Sequence, residues 1–161
     1  MSSVEPEGRD TTRRRRQTTV VIKDSMRDLR IQLARLQHSV GTRLELRDTD
    51  LDCLDLIGRH GPLGPSALAR LAGVHPATLT GILDRLERGG WIARDRHPAD
   101  RRAVTIHINR DRAAEVFNQY AGMNAALDRI CAGYDTAQLD VLADFLRRAT
   151  EAGRTATDSP T

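Results

Sequence analysis

Lysine is almost absent from this chain. Of its 161 residues 25 are Lys or Arg, and Lys23 is the single lysine, so nearly every cation is a guanidinium. Guanidinium suits bidentate contacts to phosphate and guanine, although a compositional bias towards Arg and Ala leaves the same trace. Aromatic residues are scarce at 3%, against 39% apolar residues overall. The core must therefore come from Leu, Ile, Val and Ala, which favours helices over a β-sandwich. Cysteine is limited to Cys53 and Cys131. Neither forms a CxxC pair, no signal peptide is expected before them, and both fall in apolar helical patterns, with a redox-sensing pair as the alternative to inert thiols. The expectation is two reduced, buried thiols in a cytoplasmic protein. No apolar run approaches the ~20 residues of a membrane span. Catalytic signatures are missing as well: there is no GxSxG, no phosphate-binding loop and no HExxH. His38, His60, His75, His97 and His107 are scattered without metal-ligand spacing. No enzyme activity, metal or cofactor is expected.

What is present is a succession of helical stripes with one interruption. The net charge of +3 is too small to identify a partner, so placement has to decide. Residues 1–18 are polar, carry Pro6 and Gly8, and end in Arg13-Arg14-Arg15-Arg16; they read as a disordered basic tail, and such a run can also touch phosphates. From Thr19 a helix is predicted, with Ile22, Met26, Leu29, Leu33, Leu36 and Val40 spaced alternately by four and three. That is a heptad seam, which packs on another helix. An ordinary core helix is the alternative; a dimer contact is favoured because similar seams return near the C-terminus. The helix is expected to end near Gly41.

Three short elements follow. Asp50 to Ile57 reads as an amphipathic helix stopped by Gly58 and Gly61-Pro62. A second starts at Pro65, with Leu68 and Leu71 inward, and stops at Gly73 as a left-handed cap. A third opens at Pro76, with Leu79, Ile82, Leu83 and Leu86 on one face, and closes at Gly89-Gly90. The period then changes to two. Trp91 to Arg94 forms one strand, and Val104, Ile106 and Ile108 alternate in a second. The charged loop from Asp95 to Arg102 between them is too long for a tight hairpin and reads as a β-wing with a basic tip. A long helix is predicted from Arg110 to Ala132, with Ala113, Phe117, Tyr120, Asn124, Leu127 and Cys131 on its seam. A last helix runs from Thr136, its N-cap, to about Glu151, with Leu139, Leu142, Leu146 and Ala149 inward. Residues 153–161 read as a flexible tail.

Two short helices on a Gly-containing turn, followed at once by a basic hairpin, form a winged helix-turn-helix. The class is mainly α with a small β-wing, flanked by N- and C-terminal dimerisation helices. The winged part is assigned to residues 48–108 and the dimerisation region to 19–47 and 109–152. Ile22, Met26, Leu29, Leu33, Leu139, Leu142 and Leu146 are the expected dimer contacts. The arrangement sets the second helix in a DNA major groove and the wing beside the adjacent minor groove. Ala77, Thr78, Thr80, Gly81 and Arg85 lie off the leucine stripe and face DNA; Asp84 on the same face is read as a structural partner for an arginine. Mid-helix Gly81 costs roughly 1 kcal/mol relative to Ala, which calls for close approach either of DNA or of another helix. In the wing, Arg94, Arg96, Arg101 and Arg102 outnumber Asp95 and Asp100. Asp100 is expected to brace one arginine and leave another for the minor groove.

The run LARLAGVHPATLTGILDRLERGGWIARDRHPADRRAVTIHI resembles the MarR family of regulators, most closely in ATLTGILDRLERGGWI and the wing signature PADRR. The resemblance implies a homodimer with intertwined terminal helices, a pseudo-palindromic double-stranded DNA operator and release by small, often aromatic or phenolic ligands, with repression as the default. It matches Asp100 and Arg101 to the family's wing acid–arginine pair, and Thr78, Thr80 and Arg85 to recognition-helix positions. His75 stands where a Ser, Thr or Asp cap is commoner. A winged-helix protein acting through protein or RNA contacts is the competing reading.

Overall fold

The computed structural model describes residues 6–97 and 100–158, and the side chains of residues 10–96 and 104–157. Its elements in chain order are α1 (Pro6–Leu44), α2 (Asp48–His60), α3 (Pro65–Ala72), α4 (Pro76–Arg88), β1 (Ile92–His97), β2 (Asp100–Ile108), α5 (Arg110–Cys131) and α6 (Thr136–Asp158). The mainly helical class with one small antiparallel sheet agrees with the sequence reading. The chain divides into two compact units, residues 1–116 and 117–161.

The first unit holds the core. Leu54 and Ile57 of α2, Leu68 and Ala69 of α3, and Leu79, Ile82, Leu83 and Leu86 of α4 are buried together with Trp91, Ile92 and Ile106. The apolar stripe of each short helix thus meets the inner face of the hairpin, and burial of the Leu and Ile side chains contributes roughly 1.5–3 kcal/mol each. The strands pair from Ile92↔Ile108 through Arg96↔Val104, with an irregularity between Arg96 and His97. Leu63 adds a bridge to Ile106, its N–H donating at 3.2 Å and its carbonyl accepting at 2.8 Å. Gly73 caps α3 at φ 64°, as its position predicts.

Several element ends differ from expectation. Helix α1 starts at Pro6, so residues 6–18 are helical rather than a disordered tail. Proline suits a first helical turn, Arg and Gln are good helix formers, and the Thr18 and Thr19 hydroxyls donate to the Arg14 and Arg15 carbonyls at 3.0 and 2.9 Å. The helix also passes Gly41 to Leu44, and the chain then folds back so that the Leu46 N–H donates to the Gly41 carbonyl. A Cβ at Gly41 would lie 2.6 Å from the Leu46 oxygen, so glycine serves there for close approach rather than as a stop. Strand pairing takes up most of the expected wing loop: β1 runs to His97 and β2 begins at Asp100, with a register shift after the Arg96↔Val104 pair. Helix α6 continues through residues 153–158, where a flexible tail was expected, with the Thr155 and Thr157 hydroxyls back-bonded to carbonyls four residues earlier. Its N-terminus is capped by Asp135, not Thr136: the Asp135 carboxylate accepts from the Gln138 N–H at 2.8 Å, and the Gln138 side chain accepts from the Asp135 N–H at 2.9 Å.

The second unit has no core of its own. None of its described residues is buried. Phe117 is 65% exposed, Val141 69% and Leu146 54%. Cys131 is exposed, contrary to the expectation of two buried thiols, because the seam on which it lies has nothing against it in the single chain. The α1 seam divides: Val40 is fully buried in the first unit, whereas Ile22, Met26, Leu29 and Leu33 are exposed. Among the described residues, no helix is long and apolar enough to cross a membrane.

Cys53 is buried in the core. Its burial, with the Asp52 and Asp50 carboxylates nearby, pushes the thiol up from 9.0 to about 11. The neutral thiol is favoured by folding, so its contribution is complete below pH 9 and is lost as pH rises towards 11. Relative to Cys53→Ala, the wild-type chain should lose about 2 kcal/mol of unfolding free energy across that window. Urea titrations at the two pH limits check this; parallel slopes for both proteins would contradict it.

Candidate nucleic-acid interface

The helix-turn-helix comprises α3, the turn Gly73-Val74-His75, and α4. Its turn is short because Gly73 takes the left-handed conformation and the Val74 N–H returns to the Ala69 carbonyl at 3.1 Å. His75 caps α4: its Nδ1 accepts from the Ala77 N–H at 3.2 Å. An imidazole nitrogen thus replaces the hydroxyl or carboxylate oxygen usual at this position. Beyond the cap, Ala77, Thr78 and Thr80 are exposed and Gly81 is half-buried, while Leu79, Ile82, Leu83 and Leu86 face the core. The Thr80 hydroxyl donates to the Pro76 carbonyl at 3.1 Å, which leaves its oxygen able to accept. The nearest atom to a Cβ built at Gly81 is a guanidinium nitrogen of Arg85, at 3.8 Å. Among the described residues no helix packs closely on Gly81, so the packing explanation for this glycine does not apply within the chain.

Two of the candidate arginines are engaged inside the protein. Arg85 pairs with Asp50, its Nη2 donating at 2.7 Å and its Nε at 3.4 Å. The Asp50 side chain is 3% exposed and that of Arg85 31%. Asp50 also accepts from the Arg47 N–H at 3.2 Å, so one carboxylate caps α2 and holds α4 to it. The hydrogen bond to Asp50 raises the Arg85 pKa above its already high value. Arg94 of β1 donates from Nε to Glu87 at 2.9 Å and from Nη2 to both Glu87 and Asp84, the latter at 2.8 Å. Asp84 is therefore a structural partner, as expected. The Arg94 guanidinium holds the Glu87 carboxyl below the usual carboxylate range. Together these bonds staple the base of the wing to the last turns of α4.

Arg96 is exposed on β1. The side chains of Asp100, Arg101 and Arg102 lie outside the described residues; their backbone forms the start of β2. Among the described residues, no group of three His, Cys, Asp or Glu side chains is placed to hold a metal ion.

Sequence reasoning missed four residues that position this surface. Asp50 lies on the stripe it shares with Leu54 and Ile57, and an acid on a buried stripe signals a hidden cationic partner. Glu87 is the second anchor of Arg94. Asn109 caps α5 by accepting from the Asp111 N–H at 3.1 Å, and its amide donates to the Gly90 carbonyl at 3.0 Å. The Arg112 guanidinium stacks 3.8 Å from the centroid of the Trp91 ring. The last two tie the entry of α5 to the turn between α4 and β1.

The Asp50–Arg85 pair makes an asymmetric prediction. Asp50→Ala leaves a cation that water still reaches, and should cost about 1.5–3 kcal/mol. Arg85→Ala leaves a carboxylate sealed in the core and should cost more, towards 3–5 kcal/mol. Urea unfolding of the two variants decides the order, and equal midpoints would argue against a buried pair.

Residues 46–104 match the model of the MarR family. YcgE of Bacillus subtilis (strain 168), an uncharacterized HTH-type transcriptional regulator, is 25% identical over 140 residues, which cover 80% of this chain and 91% of YcgE. The HTH-type transcriptional repressor YetL of the same organism is 29% identical over 84 residues, covering 52% of this chain and 50% of YetL. The solved structure of a MarR family protein from Bacillus stearothermophilus aligns with a TM-score of 0.67 at 17% identity, over 86% of this chain and 97% of that one; the likeness is one of fold. Family match, relatives and architecture agree on the motif between α3 and β2: residues 46–104 carry the winged helix-turn-helix of the MarR family, and over the rest of the chain the likeness to a MarR family structure is one of fold.

Proposed function

We propose that this regulator is a homodimeric, sequence-specific DNA-binding repressor acting in the cytoplasm on a pseudo-palindromic operator and released by a small, aromatic or phenolic ligand. The observation that carries the DNA reading is the exposed start of α4. There Ala77, Thr78 and Thr80 stand clear of the core, and Gly81 has no neighbour that would require it. Small side chains let the helix backbone approach base edges, and threonine can bond phosphate or touch a thymine methyl. Arg96, exposed on β1, and the wing residues Arg101 and Arg102 are the proposed cations beside the minor groove, with Asp100 assigned to brace one arginine and leave another free. Arg85 and Arg94 act first as braces and reach DNA only at the cost of their ion pairs. Repression follows YetL, which is a repressor; ligand release follows the family.

The dimer is supported by apolar surface with nothing against it. Ile22, Met26, Leu29 and Leu33 of α1, with Leu142 and Leu146 of α6, are 39–54% exposed in the single chain, and Leu139 is half-buried. Such surface calls for a partner. Residues 19–47 and 109–152 form this dimerisation region and residues 48–108 the DNA-reading part. Two copies of α4 then meet half-sites about 34 Å apart.

Duplexes selected by the protein from a random-sequence pool provide the operator for two tests. Arg101→Ala with Arg102→Ala should weaken binding by about 2–6 kcal/mol in total, with the dimer mass in light scattering unchanged. Retained affinity would remove the wing from the interface, and enrichment of no duplex at all would favour RNA or protein contacts. Gly81→Ala should raise stability by up to about 1 kcal/mol while operator affinity falls; weaker folding with full affinity would return this glycine to a packing role.

A further inference from the structure

We infer that the N-terminal turns of α1, bearing Arg13, Arg14, Arg15 and Arg16, are a second, sequence-independent contact to duplex phosphates, separate from the recognition helix and the wing. This inference rests on the reading of the chain as a duplex-binding regulator.

Charge placement is the first support. Residues 1–16 hold five arginines against three carboxylates, so most of the chain's net charge of +3 resides in its first tenth. All four side chains of the run are exposed. Among the described residues none of the four has an ion pair, whereas Arg85 and Arg94 of the winged region are both committed to carboxylates. Asp10 lies one turn before Arg13 and Arg14 and engages neither.

Helix geometry is the second. Successive residues advance about 100° around a helix. Four consecutive arginines therefore encircle α1 with guanidinium, and at least two face a duplex whichever side of α1 approaches it. The carbonyls of Arg14 and Arg15 accept from Thr18 and Thr19, which adds backbone-bound hydroxyls to the same turns. The band is held at a fixed distance. Continuous helix joins it to Gln37, whose side chain donates to the Asp48 carbonyl at 3.1 Å and to Asp52 at 2.8 Å on α2. The interval is roughly 32–36 Å, close to one turn of B-DNA. Both ends belong to the same compact unit.

The choice of duplex DNA over an anionic membrane rests on composition. Residues 10–19 read Asp-Thr-Thr-Arg-Arg-Arg-Arg-Gln-Thr-Thr without an apolar side chain, and the exposed Val20, Val21 and Ile22 begin only at the C-terminal edge of the band rather than forming an apolar face alongside it. A helix that lies on a membrane requires one. Phosphate neutralisation by arginine requires only charge.

The test compares the full-length protein with R13Q/R14Q/R15Q/R16Q, which keeps helix-forming side chains, and with the four-lysine variant, which keeps the charge. The probe is a labelled random-sequence duplex of about 40 base pairs, long enough for several turns, titrated from about 50 to 200 mM salt. The glutamine variant should bind roughly tenfold or more weakly at the lower salt, and its log–log salt slope should be shallower by about 2–3. The lysine variant should retain the wild-type slope. Superimposable glutamine and wild-type titrations overturn the inference, as does loss of binding only to phosphatidylcholine vesicles containing about a third phosphatidylserine. Equal far-UV helicity of the three proteins shows that α1 persists; if the glutamine variant loses helix, the lysine variant decides, and a shallower slope there overturns the charge argument. Sequence selection separates this outcome from the parent reading. The glutamine variant should enrich the same duplexes as wild type. Failure of the regulator reading instead leaves wild type enriching none.

Discussion

One buried carboxylate holds together the helices that present the exposed face of α4. Asp50 closes the first turn of α2 and holds Arg85 of α4, elements 35 residues apart in sequence. Apolar packing alone draws helices together without choosing among neighbouring crossing angles, because leucine stripes interdigitate in more than one register. A carboxylate that must satisfy two guanidinium nitrogens and a backbone N–H accepts far fewer arrangements. Buried ion pairs often add little net stability over a well-packed apolar substitute. What the pair visibly does is tie Arg85 of α4 to the first turn of α2.

The same economy runs through the winged region. Arginines that look like ligands for DNA in the sequence are spent on bracing. Arg94 spans from β1 to Asp84 and Glu87 and so ties the base of the wing to α4. Asn109 and Arg112 fasten the entry of α5 to Gly90 and Trp91. If this surface meets DNA as proposed, the small residues at the start of α4 read it by fit, and the attraction comes from arginines outside α4.

What the sequence made legible follows from periodicity. The Leu79–Ile82–Leu83–Leu86 stripe and the alternation of Val104, Ile106 and Ile108 are set by burial, and burial repeats with the element. Gly73 was legible because a left-handed cap admits few residues. Element ends were not. Helix α1 reaches back to Pro6 and α6 forward to Asp158 through stretches where no apolar period marks continuation and threonine back-bonding favours it locally. Ion pairs were the least legible. Nothing in the spacing of Asp50 and Arg85 distinguishes them from solvent-facing charges, except that Asp50 stands on an apolar stripe. The Asp135-Thr136-Ala137-Gln138 sequence carried a readable capping signature, and reading the cap one residue late cost only the boundary.

The exposed seams of the second unit have a thermodynamic consequence. If two copies associate through them, as proposed, the folding free energy of α5 and α6 includes the chain's own concentration. Stability then rises with protein concentration, which a self-contained monomer does not show.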